Sequence, residues 1–387
     1  MVAWAGVIVG ACAALVSLPP FEVRSPVVPV VIGLVALTVG IGSFIRGERR
    51  IGGFAIAAGV FGLVLGYLAT RSSVDKLEAV VVWGALFGAM LRYATPLVFA
   101  SLGGLFSERS GVVNIGLEGM MLTGAFFAVW GSDVTGTWPL GLLIAVAAGG
   151  LMGLLHAFFS ISLRADQIVG GTAINFLALG LTTYLFIKIY GEEGSPTDIS
   201  TIPNVSLDFL EDIPGVGDFL FDVFGALDLL IWVAIAFVVL TWIVVFKTPI
   251  GLRLRSVGEH PRAADTVGIN VYAIRYGAVT LSGMLAALGG AYLSLGFVNS
   301  FDDNMTAGRG FIALAALIFG NWKPFGAAIA CLLFGFSSAL SDALQEYSTS
   351  VSTLFEVLPY VLTLIAVAGV IGRSIPPAAV GRPYVKQ

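Results

Sequence analysis

Asn114 and Glu118 stand four residues apart in Ser107-Glu-Arg-Ser-Gly-Val-Val-Asn-Ile-Gly-Leu-Glu-Gly119, a stretch that leaves one apolar run and opens the next. On a helix that spacing puts both side chains on one face. An amide and a carboxylate set in apolar surroundings can hold the hydroxyls or ring nitrogens of a small polar solute. Burying an unpaired carboxylate in lipid costs at least ~2.5 kcal/mol, so Glu118 must face protein or a water-filled space. Two readings of it compete: a structural one, in which it caps or ties neighbouring backbone amides, and a functional one, in which it lines a path for solute.

Two more amides interrupt apolar runs, Asn175 in Gln167-Ile-Val-Gly-Gly-Thr-Ala-Ile-Asn175 and Asn321 in the Gly-rich stretch from Gly308 to Gly326. Irregular backbone is tolerated at membrane depth only where protein or water satisfies its polar groups. Short, Gly- or Pro-interrupted segments in both halves of a chain can point to a transport site. Asn114, Glu118, Asn175 and Asn321 are therefore the candidate path residues; the plainer alternative is helix-to-helix hydrogen bonding, worth about 0.6 kcal/mol on average in membranes. Catalysis finds no footing, since no paired acid and base and no metal cluster is visible. Cys12 and Cys331 lie far apart in apolar runs and read as packing residues. His156, inside the apolar run Leu151 to Phe159, reads as a buried neutral histidine rather than a proton relay.

The elements that must position these residues are membrane helices. Of 387 residues, 57% are hydrophobic and 11% charged, with a mean hydropathy of +0.95. Charge-free runs such as Ile51 to Thr70 and Leu229 to Phe246 have the roughly 18 to 25 residues that cross a core of about 30 Å. The expected fold is an all-α polytopic bundle of about twelve crossings, some short or broken, near residues 3–19, 27–45, 51–70, 79–105, 112–131, 138–160, 168–190, 228–246, 276–298, 307–320, 324–343 and 354–373. No removable secretory signal is expected at the N-terminus. Glycine supplies 49 residues, about twice the usual level of about 7%, and suits close helix contact in lipid.

Charge orients the bundle. Between Lys188 and Lys247 there is no Lys or Arg but nine carboxylates, whereas Lys247 to Arg275 holds five basic residues. Basic residues near span ends stay on the cytoplasmic side, which places the loop at 191–227 outside, the segment at 247–275 inside, and both termini in the cytoplasm. A net charge of −4 averages two faces of opposite sign, and nucleic-acid binding is not indicated. Within the inner segment, Pro261-Arg-Ala-Ala-Asp-Thr-Val-Gly268 has proline early and glycine at its end, the pattern of a short helix. Either it is an ordinary basic loop that sets topology, or its small residues Ala263, Ala264 and Gly268 let it insert into a partner's groove.

At these residues the chain resembles the permease subunits of ATP-binding cassette importers, in the branch that moves nucleosides, simple sugars and branched-chain amino acids. Ser107 through Met121 is similar to that branch's signature, most of all to the nucleoside permeases, and Gly251-Leu-Arg through Gly268-Ile-Asn is similar to its coupling loop, with Arg262 in place of a common acidic residue. The resemblance covers roughly residues 80 to 373. It implies extra helices at 1–70, a permease core at 79–373 and a cytoplasmic tail at 374–387. It also implies that Gly251, Arg253, Gly258, Pro261, Ala263, Ala264 and Gly268 couple the chain to an ATPase.

That ATPase would be a separate subunit holding ATP and Mg, because no G-x-x-x-x-G-K-[ST] phosphate loop is present. The chain itself is expected to be no enzyme and to bind no cofactor. Its partners would be the ATPase, a second, different permease, an extracytoplasmic solute-binding protein and the bilayer of the plasma membrane. Ribose-like sugars or branched-chain amino acids are the rival solutes. An ion-coupled secondary transporter is the rival class, but such a protein usually buries several coupling carboxylates or histidines, and only Glu118 and His156 qualify here.

Overall fold

The structure is a computed structural model, and it describes residues 27–46, 49–69, 83–191, 194–196, 198–214, 217–345 and 375–386, with positions 6, 9 and 10. The expected crossing at 354–373 and nearly all of that at 3–19 lie outside the described residues.

Helices follow the apolar runs. They are α1 (Val27–Ile45), α2 (Arg49–Ala69), α3 (Trp83–Arg109), α4 (Leu117–Thr135), α5 (Trp138–Ala157) and α6 (Gln167–Tyr190). After α6 come β1 (Asn204–Ser206), α7 (Gly217–Phe224) and β2 (Ala226–Asp228). The remainder is α8 (Leu229–Lys247), α9 (Pro249–Glu259), α10 (Pro261–Thr266), α11 (Val271–Tyr292), α12 (Arg309–Phe319) and α13 (Pro324–Gln345). Wider π turns, Phe158–Ser162 and Leu293–Phe297, extend α5 and α11. Six described helices are long and apolar enough to cross a membrane: α3, α5, α6, α8, α11 and α13. Shorter apolar stretches are Val30–Ile45, Ile51–Val60 and Arg309–Phe319.

The described residues form the expected helical bundle, with one small addition: β1 and β2 pair antiparallel with Asn204 opposite Asp228 and Ser206 opposite Ala226. Three-residue strands are too short to print an alternating pattern. The span expected from residue 112 begins as a helix only at Leu117, and residues 112–116 are unwound. Asn114 therefore stands before the helix, and the shared helical face with Glu118 does not exist.

By contacts the chain divides into two compact units. In the first, α1 and α2 run antiparallel: a Cβ at Gly40 would lie 2.7 Å from Ile56 N, and one at Gly52 2.6 Å from Phe44 N. The same unit holds the start of α3, where Phe87 meets Phe219 edge-on at 6.1 Å and Phe336 at 6.2 Å.

The second unit is built around α11. Of its span, 78% is buried, against 22% for α6, so α11 is the axis and α6 a rim helix. α4 and α5 pack on α11, and α6 packs on α4. The approach is too close for side chains: a Cβ at Gly283 would lie 2.2 Å from the Gly149 carbonyl, and one at Gly290 1.9 Å from that of Met121. Small residues allow such packing where lipid supplies no hydrophobic drive between helices.

Charge separates along this unit. At one end Asp133 accepts from the Tyr190 hydroxyl and Asp303 from that of Thr183, beside the acidic loop and Lys188. At the other, Arg109, Trp322, Glu259 and the 375–386 segment meet.

Candidate functional site

The unwound segment after α3 is where this bundle departs from plain helices. Its backbone groups have no helical partners, and burial of such groups without bonds is costly. Side chains from α5 and α6 supply several of the bonds. The Gln167 Oε1 accepts the Val113 amide at 2.7 Å, and His156 Nε2 meets the Val113 carbonyl at 3.0 Å. A carbonyl only accepts, so Nε2 carries a proton and donates it. Asn175 acts as a surrogate peptide, with Nδ2 donating to the Ile115 carbonyl at 3.1 Å and Oδ1 accepting the Gly119 amide at 2.8 Å. Asn114, fully buried, donates to Ser282 Oγ on α11 at 2.9 Å, and its Oδ1 has no hydrogen-bond partner among the described residues.

Glu118, in the first turn of α4, reaches the beginning of α12. Its Oε1 accepts the Gly308 amide at 2.8 Å and its Oε2 that of Gly310 at 2.6 Å. α12 has no side-chain cap of its own at Gly308, so a carboxylate from 190 residues earlier serves as its cap. Helix N-termini favour negative charge there. This is the structural function weighed for Glu118.

The far end of α12 is tied to the last turn of α3, just before the unwound segment. Trp322 Nε1 donates to Glu108 Oε2 at 2.5 Å, and Arg109 donates twice to the Trp322 carbonyl, at 2.8 and 3.1 Å. Asn321 lies in this turn, its Oδ1 accepting the Ile375 amide at 3.1 Å. An 11-residue helix is about 16 Å long. Asn321 is therefore about that far along α12 from Glu118, whereas Asn114 and Asn175 meet at the unwound segment.

The basic segment folds as two short helices. Thr248 caps α9 by accepting the Gly251 amide at 3.2 Å. Gly251 rides on the last turn of α8, where a Cβ would lie 2.1 Å from the Val244 carbonyl. Gly258 presses on the Arg109 carbonyl, again with 2.1 Å left for a Cβ. α10 runs from Pro261 to Thr266, and the turn after it reaches Gly268, whose φ of +85° permits the reversal. Ala264 is buried beside Val257 and Val271, whereas Ala263 is exposed with Arg253, Arg262, Leu252 and Val267.

A model of the family described as branched-chain amino acid transport system / permease component matches residues 86–367. The chain belongs to that family. The permease is 44% identical over 319 residues to the guanosine ABC transporter permease protein NupQ of Bacillus subtilis, covering 80% of this chain and 99% of that protein. It is 41% identical over 306 residues to the nucleoside ABC transporter permease protein NupC of Lactococcus lactis, covering 77% and 95%. A putative glucose ABC transporter permease protein, TsgC13 of Haloferax volcanii, is 38% identical over 267 residues, covering 69% and 78%. No solved structure matches.

As a permease of this family the chain is a multi-pass protein of the plasma membrane. α1 and α2 precede the matched residues. Sequence reasoning passed over Gln167, Ser282 and Gly310 as functional side chains or contacts. Gln167 left a signal, an amide opening an apolar helix; Ser282 and Gly310 left none, since small residues are common throughout this permease.

Proposed function

We propose that this chain is the membrane path of an ATP-driven importer for nucleosides, working with a separate ATPase subunit that holds ATP and Mg, a second and different permease, and an extracytoplasmic binding protein. The observation that carries the reading is the unwound segment between α3 and α4, whose flanking residues Arg109 and Glu118 bond to both ends of α12, in a chain 44% identical to a guanosine permease. Two irregular elements clamped together provide polar groups inside an apolar bundle. The Oδ1 of Asn114, without a partner among the described residues, is an acceptor for a solute hydroxyl or ring N–H, and Asn175 and Glu118 hold the backbone that shapes the path.

We further infer twelve crossings with both termini cytoplasmic, which the separation of basic and acidic ends supports. The exposed face of α9 and α10, with Leu252, Arg253, Arg262, Ala263 and Val267, would then meet the ATPase. ATP binding closes the paired subunits, displaces α10 and rocks the bundle between inward- and outward-open states. Such coupling is a difference in free energy between two states, set by contacts that differ between them.

Uptake of labelled guanosine, uridine, ribose and leucine by the reconstituted complex, with and without ATP, tests the reading. ATP-dependent nucleoside uptake is expected. Uptake driven by a proton gradient alone would overturn it, and preferential uptake of ribose or glucose would favour the sugar reading that the Haloferax relative supports.

A further inference from the structure

Residues 375–386 form no helix or strand, yet they are bound along their length. The Ile375 amide donates to Asn321 Oδ1 at 3.1 Å, the Ala378 amide to Glu259 Oε2 at 3.1 Å and the Ala379 amide to the Gly258 carbonyl at 2.9 Å. Farther on, the Gly381 amide reaches the Gly111 carbonyl at 3.3 Å, and the Tyr272 hydroxyl donates to the Tyr384 carbonyl at 3.3 Å. Ordering an irregular segment opposes chain entropy, and the first and last residues of a domain are poorly ordered unless tied down. This one is tied at the α12–α13 turn, at α9, at the turn after α3 and at the start of α11.

Two contacts give the segment a mechanical place. Tyr384 is 6% exposed, packs with Ala264 and Val257, and sets its ring edge-on to Tyr272 at 5.5 Å. It therefore supports the inward side of α10, the helix whose other side is exposed. Arg275 on α11 is 1% exposed, and its guanidinium forks: Nε donates to the Ser110 carbonyl at 3.1 Å and Nη1 to the Arg382 carbonyl at 3.1 Å. One buried cation thus holds both the turn that opens the unwound segment and the chain two residues before Tyr384. Gly111 leaves room for it, since a Cβ there would lie 2.8 Å from Arg275 Nη2.

We propose that residues 375–386 are a strap that carries displacement of α10 to the unwound segment after α3, with Tyr384 and Arg275 as its positioning residues. The route runs from Ala264 to Tyr384 by packing, along the chain to Arg382, and through hydrogen bonds to Arg275 and Ser110. The proposal rests on the permease reading above. Movement of α10 must either drag the strap, straining its bonds to Gly258, Glu259 and Gly111, or break the packing of Ala264 on Tyr384. Because the strap also holds Asn321 at the far end of α12, the same displacement reaches both irregular elements.

The test is solute taken up per ATP hydrolysed in the complete reconstituted transporter, with ATPase binding measured on the same samples. Tyr384→Ala and Arg275→Lys should bind the ATPase and hydrolyse ATP as the parent does, while uptake per ATP falls by roughly fivefold, within the range seen for residues along a coupling route. Tyr384→Phe, which keeps the ring against Ala264 and Tyr272, should restore the ratio. An unchanged ratio in Tyr384→Ala overturns the strap. So does a proportional loss of ATPase binding, hydrolysis and uptake, which would make the segment a structural support only. A parent complex with no ATP-driven uptake overturns the permease reading itself, and the strap with it.

Discussion

Glu118 and Gly310 are in backbone contact across the junction of α4 and α12: the Gly310 amide donates to Glu118 Oε2 at 2.6 Å, and a Cβ at Gly310 would lie 2.5 Å from the Glu118 N and Cα. A charged acceptor on two amides and the absence of a side chain act together. Neither alone would bring the start of α12 onto the first turn of α4. The consequence is a junction held by one removable carboxylate and one irreplaceable hydrogen atom.

Glu118→Gln should insert normally and transport poorly. Hydrogen bonds to a charged group contribute about 1.5–3 kcal/mol each, and the neutral amide keeps one acceptor where there were two. Uptake should fall roughly tenfold or more at equal protein, by the scale on which about 1.4 kcal/mol is tenfold in rate. Gly310→Ala should lower thermal stability by about 1–3 kcal/mol through overpacking against backbone that cannot rotate away. Thermal unfolding in detergent and initial uptake rates check both; a stable, fully active Gly310→Ala would contradict the contact.

Asn114 and Asn175 should separate cleanly. Asn175→Ala strands the Ile115 carbonyl and the Gly119 amide, at about 1–3 kcal/mol each when buried, and should lower stability first. Asn114→Ala loses one bond to Ser282 and a free acceptor. Its larger effect should be a raised KM for uptake, with thermal stability reduced by no more than about 1.7 kcal/mol, the upper end for a membrane hydrogen bond. Equal effects of the two variants on KM would remove Asn114 from the path.

Gly268→Asp should reduce uptake and ATPase association while leaving insertion intact. Nothing lies within 4 Å of a Cβ at this position, so space is not the issue. The new negative charge on an exposed basic surface is, with backbone strain adding less: a left-handed φ costs an ordinary residue about 1–2 kcal/mol, less for Asn or Asp. Gly268→Asn shares the backbone tolerance without the charge and should recover most of the loss. Co-purification with the ATPase is the readout.

Gly258→Ala should act from inside rather than at the partner surface. The added methyl meets the Arg109 carbonyl and must push α9 away from the turn after α3. Reduced uptake with ATPase binding largely kept is the expected result, whereas lost binding with an intact uptake-to-ATP ratio would place Gly258 at the docking face instead.

Much of this protein was decided by properties that each stretch of chain carries by itself. Membrane residence followed from apolar runs, the two ends of the bundle from where carboxylates and basic residues collect, and α10 from proline and glycine placed at its limits. The family resemblance rested on contiguous motifs in the same way. Partition into lipid, attraction to one membrane face and local helix limits depend on neighbours in sequence, so they are legible there. The site was legible only as a set of residue types. That Asn114 stands before α4, that Asn175 serves as a surrogate peptide, and that Glu118 caps a helix 190 residues away were settled by tertiary structure. An unwound backbone in lipid must find its hydrogen bonds wherever the fold brings donors and acceptors close. Those partners, Gln167, His156, Ser282 and Arg275 among them, are distant in sequence, and hydropathy and charge say nothing of which will meet.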